Sequence, residues 1–179
     1  MIIRKLLHRM KQFCIAMFSV YRKKDEEFAQ KYLNIQEMAL FNKLPGFEKK
    51  HSVRVAKKML KIAHGNASYD ERKLARIGLL HDIGKVVEHN STLSKSFMVV
   101  IRYFLPKQYD RLADEGKYNL KLRRFYIHKH HGAVGAELLA KIGENSNMLT
   151  ILRKHDPYVE KPNEEDPPEL KILQEADAY

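Results

Sequence analysis

Apolar residues recur three and four positions apart over most of the chain, the period of a helix with one buried face. Ile3, Leu6, Leu7, Met10, Phe13, Cys14 and Met17 form such a stripe near the start, opposite Arg4, Lys5, His8, Arg9 and Lys11. The same period predicts a helix over 25–42, broken by Pro45 and Gly46, and another over 47–63, where Gly65 and Asn66 supply a stop. Asp70 and Glu71 open the next, whose stripe runs through Leu74, Ile77 and His81 and which Gly84 ends. The run 97–105 is apolar and β-branched, so period alone does not separate strand from buried helix. Ser94 or Ser96 as a cap, Pro106 as a stop and helical neighbours favour helix. Residues 107–129 are polar, carry Lys117, Lys121, Arg123, Arg124 and several tyrosines, and read as an insertion over one end of the domain. Helical spacing resumes through Val134, Leu138 and Ile142 to Gly143, again over 148–155, and after Asp166, where Pro167 suits a first turn. With no strand pair and no repeat, the expected fold is all-α, of seven or eight helices, with 1–45 an N-terminal helical appendage to a domain over 46–179.

Composition then bounds what such a bundle does. The 179 residues include 33 Lys and Arg against 22 Asp and Glu, a net charge of +11, with 44% hydrophobic residues. The apolar share fills a core, which excludes a disordered polyelectrolyte. Cys14 is the only cysteine, which excludes both a disulfide scaffold and a thiolate metal site and points to a reducing compartment. No apolar run approaches the roughly 18 residues of a membrane span. The best, 13–21, contains Ser19 and is followed by Arg22, Lys23 and Lys24 without a small-residue cleavage site, so it does not read as a signal peptide and a cytoplasmic location is expected. The first helix is expected to pack on its own domain or on a subunit, with contact of residues 1–22 to an anionic membrane surface as the alternative. The excess positive charge suits an anionic small-molecule partner by steering, although it serves solubility equally well.

The histidines change the picture most. His51 shares a helix face with Val55 and Met59, His81 with Leu74 and Ile77, His131 with Val134, Leu138 and Ile142, and His155 with Met148, Ile151 and Leu152. Asp177 lies with Leu170 and Leu173, a costly place for a carboxylate. Any one of these alone reads as a core side chain satisfied by a backbone carbonyl. Together with the adjacent pair His81 and Asp82, five separate helices direct an imidazole or carboxylate into one core, and one or two metal ions would neutralise all of them. His81 and Asp82 diverge by about 100° on a helix, so near its end they can grip an ion from two sides, and the second oxygen of Asp82 can reach another.

These residues resemble the HD-domain superfamily of metal-dependent phosphohydrolases. The likeness rests on His51 in HSVRVA, on the HDIGK string from His81 to Lys85, and on a late Asp177 after Glu175 and Ala176. His131, followed by Gly132, Ala133 and Gly135, and His155 resemble the extra ligands of the dinuclear branches, including those that cleave dinucleoside polyphosphates. The resemblance implies a helical HD bundle in which His51, His81, Asp82 and Asp177 hold one ion, Asp82 bridges, and His131 and His155 complete a second site. His128 and His130 are the alternatives to His131, but neither precedes the small residues that the resembling branches place after theirs. His8, His64 and His89 match no motif. Asp177 stands two residues from the end, whereas family members usually carry more helix after it, and terminal turns fray.

Two ions about 3.5 to 4 Å apart can share a hydroxide for in-line attack on a phosphoryl group. Asp82 would bridge the ions and accept a proton, and Lys85 could reach a phosphate oxygen. Arg54, three residues after His51, lies on nearly the same face and is either a phosphate clamp or a solvated charge. A histidine-rich site with a bridging carboxylate suits iron first, with manganese, zinc or magnesium as alternatives. The expected activity is hydrolysis of a phosphoanhydride or phosphoester bond in a nucleotide or dinucleoside polyphosphate. The alternatives are a phosphodiesterase or 5′-nucleotidase of the same superfamily, or a basic nucleic-acid module with structural metals, in which Tyr103, Tyr109, Tyr118, Phe125 and Tyr126 form the platform.

Overall fold

The computed structural model of the protein describes residues 20–88 and 92–178, and for 92–96 the backbone alone. The stripe over 3–17, with His8 and Cys14, and also His89, lie outside the described residues. Among the described residues there are nine α-helices and no strand: α1 Lys23–Tyr32, α2 Ile35–Phe41, α3 Gly46–Ile62, α4 Glu71–Leu80, α5 Thr92–Phe104, α6 Pro106–Glu115, α7 Arg123–Ala140, α8 Ser146–Lys154 and α9 Pro168–Asp177. A 3-10 turn, Ile83–Val87, follows α4. None of these helices is long and apolar enough to cross a membrane.

The helix expected over 25–42 is two. Asn34 interrupts it by accepting the Glu37 backbone N–H at 2.9 Å while the Glu37 carboxylate accepts the Asn34 N–H at 2.8 Å. That reciprocal cap satisfies two amides a continuous helix would have bonded to its own carbonyls, so a new helix starts here. Asp70 caps α4 as expected, accepting from the Lys73 N–H. The run 97–105 is helical, within α5, and the insertion contains a helix of its own, α6. Gly84 does not stop a helix. α4 ends at Leu80, and Gly84 sits inside the 3-10 turn.

One core runs through α1 to α4 and α7 to α9, with Phe41, Met59, Leu74, Ile77, Leu79, Leu80, Ile83, Leu139 and Ile151 fully or almost fully buried. Each such side chain stabilises the fold by roughly 1.5–3 kcal/mol. α3 packs tightly on α4 because Gly78 has no side chain: a Cβ there would lie 2.5 Å from the Ala56 Cα. Met98, Tyr109, Ala113 and Phe125 form a second, smaller core under α5 to α7. Burial of Tyr109 and Phe125 removes both rings from the aromatic platform that the insertion offered, since a ring packed in a core cannot stack on a base.

Two buried ion clusters tie the helices together. Arg76 of α4 pairs with Glu37 of α2 and with Glu144 before α8. Burial alone would lower the Arg76 pKa, but the two carboxylates outweigh it and raise it. Asp25 of α1 is fully buried and receives Lys50 of α3 at 2.7 Å and the Arg22 N–H at 3.1 Å. Burial alone would raise the Asp25 pKa, but Lys50 and the Arg22 N–H outweigh it and hold it below the usual value. A carboxyl depressed in the folded state contributes stability in full above its unfolded pKa of about 4 and loses it as pH falls through the folded value. Asp25→Asn is therefore expected to cost about 2 kcal/mol at pH 7. In urea unfolding, its deficit against wild type should shrink at pH 3, and an equal deficit at both pH values would refute the assignment.

Candidate metal centre

Three of the histidines sit where a helix ends or breaks. His81 is the C-cap of α4, His155 is the C-cap of α8, and His131 follows the residue at which α7 kinks, His130 with φ −110° and ψ 16°. Carbonyls at the end of a helix lack an amide partner. The Nδ1–H of His81 donates to the Gly78 carbonyl at 2.9 Å, that of His131 to His128 at 3.0 Å and that of His155 to Leu152 at 2.7 Å. Since a carbonyl only accepts, each bond places a proton on Nδ1 and leaves Nε2 to face inward, which is how metal-ligating histidines are commonly oriented.

Those Nε2 atoms converge on Asp82. One oxygen of Asp82, Oδ2, lies 3.5 Å from His51 Nε2 and 3.3 Å from His81 Nε2, while the other, Oδ1, lies 3.0 Å from His131 Nε2 and 3.8 Å from His155 Nε2. Asp177 Oδ1 comes within 3.0 Å of His51 and 3.7 Å of His81. His51, His81 and Asp177 form one group able to hold an ion, and Asp82, His131 and His155 a second. All six residues singled out from the sequence are thus brought together, and Asp82 stands between the groups. His128 does not join them: its Nδ1 meets the Tyr109 hydroxyl at 2.5 Å. His130 stacks beside Tyr126.

The arrangement fits bound cations. The fully buried Nε2 of His81 makes no hydrogen bond, although it is aimed into the centre. His131 and His155 bring their Nε2 atoms to 3.0 Å of each other with both Nδ1 protons already engaged, so two lone pairs meet unless a cation or proton lies between them. Burial, reinforced by His131 and His81, pushes the His155 pKa down to about 4, which keeps that ring neutral and able to ligate. For His81 burial alone would lower the pKa, but Asp82 and Asp177 outweigh it and push it up to about 9, so this spot draws positive charge. Asp82 is held well below the carboxylate range, burial notwithstanding, by Lys85, His81 and His131. Asp177 is also held below it, against burial, by His51 and His81.

Two basic residues flank the first group. Lys85 Nζ lies 2.6 Å from Asp82 Oδ2 and 3.6 Å from Glu48, which is buried on α3 and which the sequence pattern did not single out. Burial alone would lower the Lys85 pKa, but Asp82 and Glu48 outweigh it and raise it. Arg54 donates to His51 Nδ1 at 3.1 Å, which leaves the proton of a neutral His51 on Nε2, toward Asp177. Arg102 of α5 bonds Asp156, next to His155, at 3.0 Å, a link no local pattern announces.

Glycines let these segments meet. A Cβ on Gly84 would lie 2.0 Å from the His131 carbonyl oxygen and 2.6 Å from the Gly135 nitrogen, and one on Gly132 2.4 Å from the Leu152 carbonyl oxygen. Backbone contact at Gly84 seats the turn after Asp82 on α7, and contact at Gly132 seats α7 on the end of α8. This constellation of histidine, histidine–aspartate and late aspartate is what a family comparison also finds, since the HD domain matches residues 49–179. The chain belongs to the HD-domain family. Its histidine and aspartate groups are those of the metal-dependent phosphohydrolases, and the HD domain here is preceded by α1 and α2. No curated protein and no solved structure matches the chain.

Proposed function

We propose that this HD domain is a dinuclear phosphohydrolase acting on a nucleotide or dinucleoside polyphosphate. The observation that carries the reading is the division of Asp82, with one oxygen toward each ligand group. In this reading His51, His81, Asp82 and Asp177 hold one ion, and Asp82, His131 and His155 hold the other. Bound there, the two ions would supply Lewis acidity and a water acidified enough to attack phosphorus at neutral pH. Iron suits the histidine-rich set and its bridging carboxylate best, followed by manganese, zinc and magnesium.

The chain's own groups do the rest. Nδ1–H bonds to helix-end carbonyls keep three imidazoles in one tautomer and one orientation. Asp82 Oδ2 is shared between Lys85 and the first ligand group, so a cation held there would compete for that oxygen, and the Lys85 ammonium would then be available to a phosphate oxygen beside the centre. Likewise, ligation through His51 Nε2 requires the tautomer with Nδ1–H, which faces Arg54 with a donor instead of an acceptor. In that tautomer the guanidinium would lose its acceptor on His51, and a phosphate beside the centre would offer it two. An anionic small molecule is thus the expected partner, and the net charge of +11 favours its approach.

Metal analysis of protein purified without chelator should find two ions per chain, falling to one in His131→Ala. A panel of nucleotides, dinucleoside polyphosphates, phosphodiesters and nucleoside monophosphates should show metal-dependent cleavage strongest for the first two classes. Preference for a diester or a monophosphate would move the assignment to a phosphodiesterase or a 5′-nucleotidase. Absence of transition metal, with no cleavage under several added divalent ions, would refute it.

A further inference from the structure

A cavity of about 320 Å³ lies against α7, and none of the six candidate ligands, Arg54 or Lys85 lines it. Its apolar wall is Val87, Ile127, Val134 and Leu138, with the Tyr126 ring beside them. Three cations edge it, Lys117, Arg123 and Lys141, against one acid, Glu137. Some basic side chains of the molecule find acids: Lys129 meets Asp110 and Asp114, Lys154 meets Asp166, and Arg111 meets Glu115. Among the described residues, none of the three cavity cations has a carboxylate within ion-pair reach, and Lys117 only overlies the Tyr118 ring. With three cations and one acid in its lining, the concavity carries an excess of positive charge, which favours an anion.

We infer that this cavity is a second ligand site, for a phosphorylated small molecule of mononucleotide size. The volume is at the lower end of small-ligand pockets, which run from roughly 300 to 1,000 Å³, and the lining joins an apolar wall and an aromatic residue to charged groups. The three cations take the phosphate and the wall beside Tyr126 takes a flat apolar moiety. Val87 closes the 3-10 turn that follows Asp82, and α7 carries His131, so an occupant touches both segments that Gly84 presses together at the metal centre. The site is therefore placed to report occupancy to the centre without sharing a residue with it.

The test is calorimetric titration of the full-length protein with AMP, GMP, CMP and UMP, and with inorganic phosphate as the bare anion. Asp82→Asn serves as a second host in which the metal centre is disabled. At least one nucleotide should bind both hosts, with affinity falling as salt rises. Arg123→Glu combined with Lys141→Glu should weaken binding about tenfold or more in the Asp82→Asn host, where the metal centre does not compete for the nucleotide, and should leave the melting temperature of that host and the metal content of the otherwise wild-type protein unchanged. Leu138→Glu, which puts a carboxylate into the wall, should do the same. Phosphate should bind more weakly than the nucleotide. Three results would each overturn the inference: no nucleotide binding at millimolar concentration, binding that Asp82→Asn abolishes and the charge reversals leave intact, or phosphate binding as tightly as the nucleotides. None of these readouts requires turnover, so the site stands or falls apart from the catalytic reading.

Discussion

Asparagine at position 82 is expected to strip the protein of both ions and lower its phosphohydrolase turnover by about 10³-fold or more. Losing a single preorganised charge-stabilising group already costs roughly 10²–10³ in rate, and here the loss takes the ions with it. Asp82 is the one side chain whose two oxygens face different ligand groups, Oδ2 toward His51 and His81 and Oδ1 toward His131 and His155. An amide keeps the shape but removes the charge and turns one of those acceptors into a donor pointed at imidazole nitrogens that must themselves ligate. The side chain is almost fully buried, so water cannot make up the difference. Lys85 keeps Glu48 as a partner, and the fold should survive, which a thermal melt checks. Elemental analysis beside the rate assay decides the matter: a folded Asp82→Asn protein with two ions and a tenth of the wild-type rate would refute the bridging role.

Gly84→Ala is the second large effect, and it acts at a distance from any ligand atom. The added Cβ would lie 2.0 Å from the His131 carbonyl oxygen and 2.6 Å from the Gly135 nitrogen, and both of these are backbone atoms that cannot rotate away. The 3-10 turn and α7 must move apart by about 1 Å or more to restore ordinary contact, and strain of this kind costs roughly 1–3 kcal/mol. That movement carries Asp82 Oδ1 away from His131, now at 3.0 Å. Metal content should fall from two ions to one, and the melting temperature should drop. Gly46→Ala is the matched control, because a Cβ there meets nothing within 4 Å. Two ions and a wild-type melt in Gly84→Ala would show that the contact does not hold the centre together.

Much of this centre is legible in the sequence alone, and for a definite reason. Helix faces are set by a fixed angle per residue, so placing His81 with Leu74 and Ile77, or His155 with Ile151 and Leu152, already said that these imidazoles point into the core. The HDIGK string and His51 in HSVRVA narrowed the family, and the small residues after His131 favoured it over His128 and His130. Cap and breaker residues located most helix ends, as at Asp70. The split at Asn34 was missed because a reciprocal cap can hide inside an otherwise continuous apolar stripe.

Other features depend on partners distant in the chain. Gly84 looks in sequence like a helix stop, and only the approach of α7 shows that it is there for close contact. Glu48 and Asp156 gain meaning from Lys85 and Arg102, each tens of residues away, and Tyr109 and Phe125 look like surface aromatics until a small core closes over them. Local spacing along the chain determined which side chains turn inward, because that follows from the helical repeat alone. Tertiary packing decided which oxygen of Asp82 faces which imidazole, where α7 bends, and which cations around a cavity are left without an ion-pair partner, because these depend on distances between helices that no repeat encodes.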